Sequence, residues 1–317
     1  MNSLFDENEP DLTKLTCIRG ADGHPALRIG LLAVVFFEQP WMRAVREAVT
    51  DIAESYIEEF REHLRWAQHP NTANIHPIHF KRVRRPREWL PQHEDGKDWY
   101  FGFHGGEGNE IVSDFQVDAY GSNNACKEDL GYLQVHLPLL WFAEHPGTFP
   151  ELVLRICQRI KPVSGYGGVG ILQPLDIRAS HRVQSMVQPL ADRFPGLEIN
   201  EPGATALSVP KGIKGINWLT ILGERWLDAA GGLDYLRVRL DDNFTFHRYD
   251  GGLMIQAGPK PQIGDAEANR WPRHYVTLAK VLKKIQVTDH WRFHWDGPGR
   301  MDHEATLAWL FRFDGKG

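Results

Sequence analysis

The apolar run LRIGLLAVVFF, at Leu27–Phe37, constrains the fold of this chain more than any other segment. Its uninterrupted part, Gly30–Phe37, has the length of a strand and is far too short to cross a membrane as a helix. β-Branched and aromatic residues are frequent in it, as is typical of strands. The run therefore predicts one buried β-strand near the start of the folded region.

Strand-like and helical segments follow without regular alternation, which favours an α+β fold over a doubly wound α/β fold. We expect mixed, largely antiparallel sheets flanked by helices. Helices are predicted at Trp41 to about Trp66, Phe149–Ile160, Asp176–Phe194, Gly223–Ala230 and Arg273–Ile285. Strands are predicted at Trp99–Phe103, Val112–Tyr120, Tyr132–Leu140, Asn217–Leu222, Leu236–Leu240, Phe244–Tyr249, Gly252–Ala257 and Leu307–Phe313.

The domain organisation expected from this pattern is simple. Residues 1–24 form a polar N-terminal lead-in, and residues 25–317 form one compact domain of ordinary globular composition. The order strand, helix, strand pair, helix, strand occurs twice, so two pseudo-repeated halves, 25–173 and 174–317, are possible.

Charge is distributed unevenly along the chain. The formal net charge is −5, with −7 on residues 1–163 and +2 on residues 164–317. This balance argues against nucleic-acid binding by bulk positive charge. The acidic N-terminus does not resemble a secretory signal, and no long apolar stretch predicts a membrane span. We expect a cytoplasmic protein without nucleic-acid or membrane partners, and a homo-oligomer remains open.

An acidic stripe is predicted on the first helix. Glu47, Asp51, Glu54, Glu58 and Glu62 are spaced so that they fall within about 80° of a helical wheel. A solvated helix face is one interpretation, and a docking surface for a basic partner is the other. Acidic residues of the following loops could extend such a surface: Glu94, Asp95, Asp98, Glu107 and Glu110.

The only basic run is KRVRRPR, which contributes Lys81, Arg82, Arg84, Arg85 and Arg87. A nucleic-acid site would need interleaved aromatic side chains and a basic surround, and acidic residues follow instead. We therefore predict a solvated loop or a strap that pairs with the protein's own acids.

No catalytic, cofactor or metal motif is assembled in the sequence. GYGGVG at 165–170 lacks the strand before and helix after that a phosphate loop requires, and predicts a glycine-rich turn entering a strand. Histidines occur near residues 63–79 and 290–303, without regular metal-ligand spacing. We expect no enzyme, cofactor or metal. An enzyme using the histidine-rich segments, and a scaffold for another protein, are the alternatives.

Several segments together resemble the type VI immunity family of Gram-negative bacteria. They are HPALRIGLLAVVFFE, GYGGVGIL, RFPGLEIN, IKGINWLTILGERWLDAAGG, GGLMIQAGPKPQIGD and PRHYVTLAKVLKKI. The resemblance runs from about His24 to Ile285 and on towards Phe313. It implies an immunity protein, or antitoxin, that neutralises a nuclease effector with a VRR-type or restriction-endonuclease-like domain.

The mechanism implied by this resemblance is direct binding to a cognate toxin encoded next to the immunity gene. The protein would cover the toxin's basic DNA-binding cleft, and it needs no catalytic residues for that. Tight complexes also need desolvated anchors, for which we expect Trp89 and Trp99 to be exposed at the surface.

Overall fold

One twelve-stranded sheet organises the chain in the computed structural model, which describes residues 16–316 apart from 71, 81–82, 95, 123–129 and 295–298. In chain order, the strands are β1 (Cys17–Arg19), β2 (Pro25–Phe37), β3 (Trp66–Gln68), β4 (Ile75–Pro77), β5 (Trp99–His104), β6 (Gln116–Gly121), β7 (Gly131–Leu137), β8 (Ser164–Leu172), β9 (Glu198–Ile199), β10 (Leu219–Gly223), β11 (Phe244–Tyr249) and β12 (Gly252–Ala257). The order across the sheet is β11-β12-β10-β8-β2-β7-β6-β5-β3-β4, with β1 paired to β2 and β9 to β8. The strand pairings are antiparallel, except for β8 with β9. The expected α+β fold is confirmed.

Helices flank this sheet. They are α1 (Arg43–Glu59), α2 (Leu139–Glu144), α3 (Thr148–Ile160), α4 (Ile177–Val183), α5 (Val187–Arg193), α6 (Pro202–Ala206), α7 (Glu224–Ala230), α8 (Gly232–Arg239), α9 (Arg273–Leu282) and α10 (His303–Leu310). Short 3-10 turns occupy Arg61–His63, Pro86–Glu88, Leu90–Gln92, Gln184–Met186, Val209–Lys211 and Lys283–Ile285. No helix among the described residues combines the length and apolarity that a membrane crossing requires.

Strand β2 lies in the middle of the sheet and confirms the buried strand predicted from its apolar run. It pairs with β7 on one side and with β8 on the other. Leu31, Ala33 and Val35 point into the larger core, which contains residues of α1 and α3. Leu32 and Val34 point to the opposite face, into a second core. A strand buried on both faces needs apolar residues at every position, which explains the lack of alternation.

The two faces of the sheet are covered differently. Helices α1 and α3 cover the first face, and the Tyr56 hydroxyl of α1 donates to the His136 carbonyl of β7 at 2.5 Å and accepts from the Gln116 amide of β6 at 3.1 Å. On the second face, α9 packs on β12, where the His274 and Phe244 rings lie 5.8 Å apart. The second face of β5, β6 and β7 carries polar side chains and borders a cavity.

The first helix ends earlier than predicted. Helix α1 stops at Glu59, and the expected continuation to Trp66 is replaced by a 3-10 turn and by β3. The Phe60 ring packs against Phe115 and Trp141 at 5.4 and 5.6 Å, and this tertiary contact anchors the chain where it leaves the helix. Local helix propensity is overridden because packing energies exceed it.

Two predicted strands are wrong. Leu236–Leu240 falls largely in α8, where the alternation of apolar residues buries Leu236 but leaves Val238 exposed. The segment predicted as a final strand from Leu307 lies in and after α10, whose start is marked by Asp302: its Oδ1 accepts from the Ala305 amide at 2.7 Å. This N-cap is a helix-start signal that outweighs the apolar composition.

The glycine run is also placed differently. The whole of GYGGVG lies inside β8, so the predicted turn is wrong. Glycine is needed there for close approach: a Cβ on Gly168 would lie 2.2 Å from Oδ1 of Asn217. Of the polar lead-in, residues 1–15 lie outside the described part, and Cys17–Arg19 form β1. The two-halves organisation stays a prediction.

Candidate functional site

The predicted acidic stripe is interleaved with arginines of the same chain. Asp51 accepts from Arg159 of α3 at 2.6 Å, and Glu47 accepts from Arg43 at 2.8 Å. Glu62 lies in the 3-10 turn after α1, 3.6 Å from Arg61, and not on the helix with the other four. The surface of α1 is therefore a mixed array of both charge signs.

Glu54 and Glu58 hold the basic run on α1. The Arg85 guanidinium pairs with Glu54 and donates to Glu58 at 2.5 Å, and the Arg87 amide donates to Glu54 at 3.1 Å. The hydrogen bond from Arg85 lowers the pKa of the Glu58 carboxyl. This arrangement confirms the predicted strap, whose first residues, Lys81 and Arg82, lie outside the described part.

The loop acids occupy opposite ends of one strand. Glu94 pairs with Lys97, and Asp98 precedes β5 and accepts from Tyr120 at 3.0 Å. Glu107 and Glu110 follow the other end of β5, which is about 20 Å away for a strand of this length. Glu110 pairs with Arg182 at 2.5 Å, and Glu107 is exposed. Asp95 lies outside the described residues. The role of all ten acids in docking stays a prediction.

The two tryptophans expected as surface anchors are buried, so this expectation is wrong. Trp99 stacks against Phe37 and Phe101, and its indole donates to the Pro40 carbonyl at 2.9 Å. Trp89 is 7% exposed and belongs to the same core. Both residues close the core where the strap and β5 meet α1.

A cavity of about 790 Å³ with polar side chains on its floor opens on the second face of β5, β6 and β7. The strand register places Asp118 between Gly102 and Gln134 in one cross-strand row. The Gln116 amide Nε2 donates to Asp118 Oδ1 at 2.8 Å, and the Gln134 side chain is a second hydrogen-bond partner. Leu175 packs over Gly102, where a Cβ would lie 2.5 Å from Cδ2 of Leu175. Gln116, Asp118 and Gln134 form the floor of the cavity, and Leu175 borders it.

The surroundings of Asp118 shift the pKa of its carboxyl. It is 6% exposed, and burial raises the pKa of its carboxyl from 3.8 to about 7, although hydrogen bonds from Gln116 and Gln134 oppose this rise. Desolvation penalises the charged form because the low-dielectric surroundings solvate it poorly. The carboxyl therefore changes between its protonated and its charged form near neutral pH.

A buried polar network supports the floor from the centre of the sheet. Asn200 Nδ2 donates to Gln134 at 2.6 Å, and the Tyr166 hydroxyl donates to Asn200 at 3.3 Å. Beside it, Lys214 donates to Glu198 at 2.5 Å, and both side chains are almost fully buried. The network fixes the orientation of the Gln134 and Asn200 amides, since each has one defined partner on either side.

The histidines of the two histidine-rich segments pack against other side chains at separate places in the structure. His290 is buried, and this burial, with the nearby Lys214 charge, lowers the pKa of its imidazole to about 4. His69 and His76 meet edge to face at 6.4 Å. Among the residues that the structure describes, no group of three or more His, Cys, Asp or Glu side chains could bind a metal ion.

Sequence reasoning missed the cavity residues, although a signal was present. In β6 the polar residues Gln116, Asp118 and Tyr120 alternate with Val117 and Ala119. Strand β7 alternates in the same way, with Tyr132, Gln134 and His136 as its polar set. Such alternation indicates a strand with one apolar and one polar face. It identifies the face but not the lid that turns the face into a cavity.

Comparison with known proteins identifies the family. The model of the TsiV family, described as type VI immunity for VRR-NUC, matches residues 48–313. The chain belongs to this family, and it is therefore grouped with type VI immunity proteins. Strands β3 to β12, most of α1 and the strap lie inside the matched region, whereas β1 and β2 precede it.

A solved structure agrees with this assignment. The chain is similar to the T6SS protein PA0821 of Pseudomonas aeruginosa, with a TM-score of 0.84 and 25% identity. The alignment covers 94% of this chain and 87% of that chain. No curated protein matches the sequence.

Proposed function

We propose that the protein binds a nuclease effector of the type VI secretion system and neutralises it by direct contact. The observation that carries this proposal is the match of the TsiV family over residues 48–313. Membership of an immunity family supports binding, rather than catalysis, as the activity. Because the target of a nuclease is DNA, the complex would form in the cytoplasm.

The proposed mechanism is exclusion of DNA from the effector's cleft. A nuclease binds phosphates with basic side chains, so its cleft attracts carboxylates as well. The exposed acids of the first half would supply them, with Glu62 and Glu107 the least committed to arginines from other elements. Acids of α1 that already pair with Arg85 or Arg159 would contribute less, since their charge is compensated.

Co-expression with the effector encoded next to the gene tests the proposal. The effector alone should kill cells, this protein should rescue them, and the two should co-purify. Added DNA should compete with complex formation, since both occupy the cleft. Rescue without a complex, or binding that DNA does not affect, would overturn direct occlusion.

Charge reversal tests the acidic contribution. The double change Glu62→Lys and Glu107→Lys should slow association about tenfold at low salt, because steering by opposite charge is lost, and less at high salt. Asp242→Lys, an exposed acid of the second half, is the control with the same type of charge change and should leave the rate unaltered. Equal rates for both variants would exclude these acids from the interface.

A further inference from the structure

The floor of the cavity presents one buried acceptor without a matching donor. Gln116 is 2% exposed, and with Nε2 committed to Asp118, its Oε1 has no hydrogen-bond partner in the described part of the chain. Asp118, which accepts from Gln116 and Gln134, places a carboxylate beside it, and the Glu201 carboxylate in the wall lies 3.0 Å from Nε2 of His294. A buried acceptor without a donor costs about 1–3 kcal/mol, so a ligand that brings donors is favoured here.

The mouth of the same cavity is apolar and exposed. Ile177, Leu207 and Trp291 line it, with 66%, 48% and 62% of their surfaces accessible to solvent. Large apolar side chains gathered at one opening are characteristic of protein interaction sites, whereas isolated ones are ordinary. An apolar rim around a partly desolvated polar pocket is the arrangement found at interface hot spots.

We propose that this cavity is the anchor site for an arginine side chain of a partner protein, with the guanidinium bound by Asp118 and Gln116 and neighbouring apolar residues packed on the rim. The inference rests on the proposed function only for the identity of that partner, the effector. It adds a second contact region, separate from the acids on α1.

The chemistry of the cavity selects a guanidinium over other groups. Its planar fork of donors can reach a carboxylate and an amide oxygen together, and it is more weakly hydrated than an ammonium. Tyr100, Tyr120 and Tyr132 supply ring faces and edges to the stem and the head. The volume, about 790 Å³, accommodates this side chain with its neighbours.

Binding of a cation at this site should depend on pH. The carboxyl of Asp118 has a pKa of about 7, and the guanidinium binds its charged form, so affinity should rise from pH 6 to pH 8 as a proton is released. Among the charged groups around the cavity, Glu201 adds to the attraction only in part, since His294 lies 3.0 Å from it, and Arg292 opposes the attraction. His181 also borders the cavity, so His181→Gln is the control for a contribution of its imidazole to the pH dependence.

Matched peptides test the site without the effector. Acetyl-Leu-Arg-Leu-amide should bind the full chain at pH 8 at least about fivefold more tightly than acetyl-Leu-citrulline-Leu-amide, because citrulline is a neutral isostere of arginine. Calorimetric or NMR titration measures both. The preference should disappear in Asp118→Asn and at pH 6. Equal affinities, or no binding of either peptide up to about 20 mM, would overturn the inference.

Variants in the effector complex separate this inference from the proposed function. Asp118→Asn and Trp291→Ala should each raise Kd about tenfold or more, with circular dichroism confirming the fold. Ile177→Ala should also weaken binding, while Leu140→Ala, equally exposed at 65% but away from the cavity, should not. If the wild-type protein forms the complex and these variants bind equally well, the anchor site is refuted while the proposed function stands. Absence of any wild-type complex refutes the proposed function and leaves the peptide result to decide on the site.

Discussion

The carboxylates on α1 and those beneath the second face of the sheet differ in their solvent exposure and in the groups that compensate their charge. The α1 acids lie at the surface and are compensated by arginines from α3 and the strap. Asp118 is buried with neutral amide partners, and Glu198 is buried against Lys214. The density of acidic residues in the sequence therefore does not show which carboxylates affect stability most. Burial decides this, because the free energy lost when a carboxylate is removed from water is far larger than the free energy gained from a surface ion pair.

The largest effect is expected when the cationic partner of a buried carboxylate is removed. Lys214→Met leaves the Glu198 carboxylate buried with Asn217 as its remaining side-chain donor at 2.8 Å. The free energy of unfolding should fall by about 3–5 kcal/mol, measured by urea denaturation at pH 7. The double variant Lys214→Met with Glu198→Gln should regain part of that loss. A small effect of the single change would mean that the buried pair is not isolated from water.

The second test uses the pH dependence of stability. The pKa of Asp118 is raised in the folded state to about 7, above its ordinary value of 3.8, so the native protein holds a proton that the unfolded chain releases. Stability should therefore fall as pH rises from about 4 to 7. Asp118→Asn removes this dependence, and its unfolding free energy relative to wild type should increase by about 2–4 kcal/mol between pH 4.5 and pH 8. Parallel curves for the two proteins would show that the carboxyl is not desolvated.

The smallest effects are expected on α1, where the degree of burial should still rank the acids. Glu54, with 13% of its side chain exposed, holds Arg85 and the Arg87 amide, and Glu54→Gln should cost about 1–2 kcal/mol. Asp51→Asn is the matched change at a side chain that is 59% exposed and should cost under about 0.5 kcal/mol. Thermal denaturation at low and high salt measures both, and salt should reduce only the smaller effect. Equal losses would remove the distinction.

Much of the architecture could be predicted from local pattern. The strands Phe244–Tyr249 and Gly252–Ala257 and the helix beginning at Arg273 lie where their periodicity places them. Errors arose where two signals compete, as at Leu236–Leu240, where period-two alternation occurs inside a helix. The candidate site was harder to predict, because Asp118 and Asn200 are 82 positions apart in sequence number and meet only through Gln134.

The sequence by itself determined the fold class and the burial of β2, and it offered the strap as one of two interpretations, because these depend on local periodicity, composition and charge. Only the tertiary structure decided which acids are compensated and which are buried. Desolvation depends on what packs around a residue, and the cavity above Asp118 is bordered by segments around Leu175, Leu207 and Trp291. No local pattern encodes that coverage, since it follows from the crossing of distant segments over one face of the sheet.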